Sequence, residues 1–282
     1  MQLGIYVREH LNISKAIEEC GINFVICGDY GCTNIVPSAQ EIIDFNERLA
    51  NIGVSLHYIS PKLTQTVINE ETNKISMLLE KNISVSVNDW GALYKIKNSI
   101  KSENNVYIGR LLTKSIHDWA WSSVYFEKEN KSEIEYLVQN NFNHKLKIDF
   151  FKGWNVKGIE VNVYTEGEES YRHIKEQGFE IVGYTDNTIL AVSRACPVAR
   201  LNGVNFYTQK CKKYCLAKQF EMLPAEEKQK NIYPKMELRG NILYKPQNPE
   251  LLWHGYNKLV FDWRREQEQQ LIDRLNRVRT LS

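Results

Sequence analysis

The chain has 282 residues and a mass of 32.9 kDa, which suits one large domain or two small ones. Hydrophobic residues at 43% and charged residues at 25% exclude a disordered chain, and 15 glycines and 7 prolines exclude a collagen-like or low-complexity one. The 36 basic and 34 acidic side chains leave a net charge of +2, so no electrostatic footprint for DNA or a membrane surface emerges.

The opening residues, from Met1 to Val7, lack the basic start, long apolar run and small-residue cleavage site of a secretory leader. No apolar run reaches the ~18–20 residues of a membrane span. A cytoplasmic location is therefore expected. In that reducing setting the six cysteines are expected to bind metal or do chemistry rather than form disulfides.

Residues 3–7 read as a strand, 13–20 as a helix capped by Ser14 or Asn12, and 23–28 as a second strand. In residues 38–52, Ile42, Ile43, Phe45, Leu49 and Ile52 recur near the 3.6 period of a helix. Strands follow at 54–59, 83–87 and 106–110, with helices at 70–80 and 91–100 between them. Residues 131–138 look helical and 158–164 strand-like. A helix at 168–177 stops at Gly178, and strands follow at 179–184 and 189–193. Residues 196–239 read as irregular and lysine-rich. A strand at 241–245, a short helix at 249–255, a strand at 258–263 and a helix at 264–278 complete the chain.

Seven or eight strand–helix alternations mean a parallel sheet with crossover helices. The length fits a closed, TIM-barrel-like (β/α)8 fold better than an open doubly wound sheet. No G-x-G-x-x-G follows the first strand, which weakens a dinucleotide-binding reading. The expected organisation is a single barrel-like domain over 1–282. The cysteine- and lysine-rich stretch 196–240 is an insertion within it.

Cys196, Cys211 and Cys215 form a C-x14-C-x3-C cluster just after a predicted strand. Cys32 lies in the loop after the second strand. In a parallel barrel all such loops share one face, so Cys32 is the best fourth ligand. Cys27 ends a strand and Cys20 sits on the apolar side of a helix, so both read as small core hydrophobes. Four converging thiolates suit either an iron–sulfur cluster or structural zinc, and the spacing leaves both open.

Asp29, Asp89 and Arg110 each close a predicted strand and are candidates for the barrel mouth. An arginine there can clamp a carboxylate. Arg194 and Arg200 are candidates for a place beside the cluster or an anionic substrate, while Lys210, Lys212 and Lys213 can offset thiolate charge. The six histidines form no H-E-x-x-H pattern, and there is no G-x-S-x-G elbow. His57 reads as packed within a strand. The aromatic segment 115–121 around His117 reads as core, with lining a pocket or docking a partner as the alternatives. The charged closing helix reads as a solvated face with i,i+4 pairs.

These cysteine segments resemble the peptidase U-32 family, and most closely its UbiV branch. Ser193, Cys196, Ala199 and Arg200 match a Ser-Ala-Arg-Cys-x-x-Ala-Arg-like segment, and Cys211 and Cys215 match the Cys-x3-Cys pair that follows it. Gly28, Asp29 and Cys32 match an upstream Gly-Glu-x-x-Cys, with Asp in place of Glu. The loop before the pair is slightly longer than the family's. Residues 87–91 and 109–114 are similar to the wider family, and the resemblance runs from about residue 2 to 265.

The resemblance implies a 4Fe–4S cluster on Cys32, Cys196, Cys211 and Cys215. It implies oxygen-independent hydroxylation, or a related redox modification of a small molecule, peptide or RNA, with a second family member as heterodimer partner. It also tips the metal from zinc towards iron–sulfur. The family's His-Gly before a Cys is absent, so a peptidase label describes lineage more than activity. A U-32-type hydrolase and a zinc-stabilised, non-catalytic binding protein are the two alternatives.

Overall fold

The computed structural model describes residues 1–7, 13–122, 126, 130–164, 167–204, 211–216, 219–223, 235–247, 255–263 and 268–281. Eight parallel strands close into a barrel. They are β1 (Gln2–Tyr6), β2 (Phe24–Gly28), β3 (Ser55–Ile59), β4 (Ser84–Val87), β5 (Val106–Ile108), β6 (Gly158–Asn162), β7 (Glu180–Tyr184) and, far along the chain, β12 (Lys258–Asp262). Neighbours follow chain order through β7. The seam is then β7 to β12 to β1, with Gly4 opposite Val260.

Helices between the strands bury one apolar stripe each against the outside of the barrel. Helix α1 is Lys15–Glu19, α2 Ala39–Ala50, α3 Ile68–Glu80 and α4 Trp90–Ile96. In α2 the buried residues are Ile42, Ile43, Phe45 and Leu49, and Ser38 and Glu41 form a reciprocal capping box at its start. Later come α5 (Lys131–Leu137), α6 (Lys145–Lys152) and α7 (Glu168–Glu176). A closing helix, Glu268–Leu281, buries Leu271, Leu275 and Val278.

The sequence does not announce α6, because Lys145-Leu-Lys-Ile-Asp-Phe-Phe-Lys152 alternates like a strand. In the fold only Ile148 and Phe151, three apart, are buried, while Leu146 and Phe150 are exposed.

After β7 the chain does not return to the barrel at once. It turns into β8 (Asn187–Val192), which opens a separate antiparallel sheet in the order β8-β11-β10-β9. Its other members are β9 (Phe220–Met222), β10 (Met236–Arg239) and β11 (Ile242–Pro246). The strands expected at 189–193 and 241–245 therefore exist, but they pair with each other and not in the barrel. The stretch expected to be irregular supplies two more strands and a short helix, α8 (Pro197–Leu201). The helix expected at 249–255 falls almost wholly outside the described residues, as do Lys210 and Asn12.

This second sheet roofs the barrel. Ile189, Ile242 and Tyr244 join one buried cluster with the inward-facing Tyr6, Phe24, Ile26, Ile59, Tyr107, Val182, Tyr184 and Val260. The contacts fall at the ends of strands where the sites of such barrels are built. The remaining core lies between strands and helices. No helix among the described residues is long and apolar enough to cross a membrane.

Candidate functional site

The loop after β2 is built to hold Cys32. Gly28 leaves the strand at φ 108°, and a Cβ there would collide with the Ile59 carbonyl. The buried Asp29 carboxylate then accepts the Gly31 and Cys32 amide protons, at 2.9 and 2.8 Å. Gly31 packs against Asn241, Ile242 and Val192 of the roof. The Asn241 amide Nδ2 donates to the carbonyls of Gly31 (2.5 Å) and Ser193 (3.0 Å), so one side chain ties the Cys32 loop to the segment leading to Cys196.

Cys196 sits immediately before α8, with Pro197 in the first helical position, where its missing N–H costs nothing. The Val198 amide donates to Gly240 (3.4 Å), which holds α8 against the roof. Helix α8 in turn packs on the 3-10 turn Tyr214–Leu216 that carries Cys215. Lys213 adopts φ 56°, which bends the backbone so that its own N–H donates to the Cys211 sulfur at 3.3 Å.

Glu41, at the start of α2, is held below the usual carboxylate range first by the Ser38 hydroxyl, with the Lys213 ammonium adding to the effect. All four predicted cysteine ligands are half-buried, whereas Cys20 and Cys27 are buried. Burial pushes the Cys27 thiol up to about 12, so it stays protonated. Among the described residues, no three Cys, His, Asp or Glu side chains converge as a ready metal-ligand group.

The other predicted site residues separate. Asp29 orders the Cys32 loop and is buried under it. Arg110 does point into the mouth end of the barrel, but the roof covers it. It is 1% exposed and donates from Nε to Tyr30 OH (3.1 Å) and from Nη1 to Asn162 Oδ1 (3.0 Å) and the Asn187 carbonyl (2.8 Å). Its guanidinium lies 4.5 and 3.9 Å from the ring centres of Tyr30 and Tyr184. The expectation of an open arginine clamp is thereby corrected: Arg110 binds the roof. Arg194, Arg200, Lys212 and Lys213 are exposed beside the cysteines.

Below Arg110 lies a polar chain that motif reading misses. His57 Nε2 meets Ser86 Oγ at 2.6 Å, Ser86 Oγ donates to Glu160 Oε1 at 2.6 Å, and Tyr184 OH donates to the same oxygen at 2.6 Å. With the serine proton directed to the carboxylate, the histidine is the donor to Ser86. That is the reverse of a histidine base taking a serine proton. Burial keeps His57 neutral and raises the Glu160 carboxyl. The three come from β3, β4 and β6 at inward positions. They are at most 2% exposed, so no substrate carbonyl reaches them. Strand alternation around 57, 86 and 160 is the only sequence signal they leave.

The open space lies at the side of the roof. A cleft of about 450 Å³ runs between β8 and the loops after β3, β4 and β5. Asp89 lines it, and its carboxylate caps α4 by accepting the Gly91 and Ala92 amide protons at 2.8 and 3.1 Å. Lys62, Trp90, Leu111, Lys114 and Val192 contribute to the walls. Val192 packs on Gly31, so the cleft borders the Cys32 loop.

No known family profile matches the chain, and no curated protein matches it. Solved structures do. A U32 peptidase is similar over 92% of this chain and 91% of its own, with a TM-score of 0.47 at 10% identity. A D-psicose 3-epimerase from Clostridium cellulolyticum H10, covering 66% of this chain and 73% of its own, has a TM-score of 0.39 at 9% identity. A dihydropteroate synthase from Xanthomonas albilineans, over 72% of this chain and 77% of its own, has a TM-score of 0.33 at 11% identity.

Proposed function

We propose that this chain is an iron–sulfur protein of the peptidase U-32 type, holding a 4Fe–4S cluster on Cys32, Cys196, Cys211 and Cys215. Its role is oxygen-independent hydroxylation, or a related redox modification of a small molecule, peptide or RNA, in company with a second family member. The carrying observation is the chain of contacts that joins the cysteine loops. It runs from Gly31 through Asn241 to Ser193 and on through α8 to the Cys215 turn. Segments about 160 residues apart in sequence, those leading to Cys32 and Cys196, are bridged by one side chain at the edge of the roof.

When bound, such a cluster supplies one-electron redox capacity. The chain's own residues do the rest. Asp29 fixes the backbone that presents Cys32. The Lys213 amide donates to the Cys211 sulfur, and hydrogen bonds to sulfur raise a cluster's potential. Arg194, Arg200, Lys212 and Lys213 are exposed in the segments that carry three of these cysteines and can offset the negative charge of a thiolate-bound cluster. The half-burial of the four thiols leaves them accessible to metal loading.

Single Cys→Ser variants test the ligand set by metal content after anaerobic purification. Loss of iron in the Cys32, Cys196, Cys211 and Cys215 variants, with Cys20→Ser and Cys27→Ser retaining it, is the expected pattern. Full iron in Cys32→Ser with loss in Cys27→Ser would overturn the fourth ligand. One zinc per chain with no sulfide would move the cysteines to a structural role. Proteolysis that survives complete metal removal would favour the hydrolase.

A further inference from the structure

The cleft beside β8 has a feature that barrel packing does not require. Lys114 is half-buried at its end, and its ammonium donates 2.7 Å to the Ile189 carbonyl. Among the described residues, no carboxylate lies within ion-pair distance of it. Burial lowers the Lys114 pKa, Asp118 partly offsets that and Arg110 adds to it. A buried ammonium with one neutral acceptor is an incomplete hydrogen-bonding group. Lys62, exposed on the opposite rim, adds a second positive charge. The acid in the cleft, Asp89, is already engaged by the amides of Gly91, Ala92 and, at 3.4 Å, Leu63.

Most of the remaining wall is apolar. Trp90 is 48% exposed, yet its ring is stacked on the buried Phe151 at 5.8 Å and 15°. Leu111 packs against the core under the roof. A volume of about 450 Å³ falls in the ~300–1,000 Å³ range of small-molecule sites.

We infer that this cleft binds a small, ring-bearing organic acid, with its carboxylate on the Lys114 ammonium and its ring against Trp90 and Leu111. The inference does not depend on the cluster, because neither the residues nor the test involve metal. If a cluster is present, Val192 and Gly31 set this ligand beside the Cys32 loop.

The test is calorimetric titration of the full chain with 2-naphthoate, set against 2-naphthalenemethanol, which keeps the ring and lacks the charge. Saturable one-to-one binding of the acid is expected, at least ten-fold tighter than the alcohol. Lys114→Met, which keeps the aliphatic stem, should weaken the acid at least ten-fold and leave the alcohol unchanged. Ala191→Trp fills the cleft from an exposed position without touching the lysine, and should abolish binding of both. Absence of saturable binding to the unaltered chain overturns the inference. So does equal affinity in Lys114→Met, or unaltered binding in Ala191→Trp.

Discussion

His57 and His117 are buried in different parts of the molecule, and both are kept neutral. Desolvation is the main cause at each, helped by Lys258 at His57 and by Lys245 at His117. The His117 value falls to about 3. The unfolded chain takes up a proton at each histidine near pH ~6.5, and the native chain does not. Stability is therefore full above pH ~6.5 and is lost as pH falls, by up to about 1.4 kcal/mol per pH unit per histidine. Glu160, raised above its usual value, acts with the opposite sign below that raised value. Urea unfolding at pH 7.0 and 5.5 should show this loss, and His117→Phe should reduce its slope while keeping a ring between Phe126 and Tyr164. A slope unchanged by that substitution would remove His117 from the account. Sequence reading placed His57 inside the protein but not in a chain with Ser86 and Glu160. The three are 29 and 74 residues apart, and only closure of the barrel brings them together.

The second sheet is the element that decides what the barrel mouth can do. Short apolar runs in 189–193 and 241–245 mark both strands, but an apolar run does not say which sheet a strand joins. Their pairing is antiparallel, and Ile189, Ile242 and Tyr244 seal the mouth. Arg110 consequently turned from an expected ligand clamp into an anchor for Asn187. The cysteine loops were legible because their residue types and spacing are unusual. The link between them was not, since Asn241 and Gly31 carry no motif. Gly31→Ala tests that link. Its Cβ would stand 2.6 Å from Asn241 Oδ1 and 2.9 Å from both Ile242 and Val192. Overpacking of this kind costs about 1–3 kcal/mol, and it should lower the urea midpoint and the metal content together. A midpoint equal to that of the unaltered chain would show that the roof does not bear on the loop.

At the scale of the whole molecule, the chain's two ends are one structural seam. β1 pairs with β12 along all five of its residues, Gln2 with Lys258 through Tyr6 with Asp262. The closing helix lies over this region, with Arg274 bonded to Asp186 at 2.6 Å and Arg279 to the Gly21 carbonyl. A chain ending at residue 257 leaves β1 and β7 with open edges and the interior chain of His57, Ser86 and Glu160 exposed to water. It should lose near-ultraviolet circular dichroism and cooperative unfolding. Cooperative unfolding by that shortened chain would mean the barrel does not need its seam. The alternation of strands and helices made the barrel legible from the sequence, because eight parallel strands of this length have few other ways to bury both faces.

The proposed 4Fe–4S cluster rests on four cysteines carried by three loops at the edge of the roof. Its most direct test is anaerobic purification of the unaltered chain, with absorption spectrum and iron, sulfide and zinc analysis on one sample. A broad band near ~400 nm with about four irons and four sulfides per chain is the result the account predicts. A colourless protein with one zinc and no sulfide would contradict it.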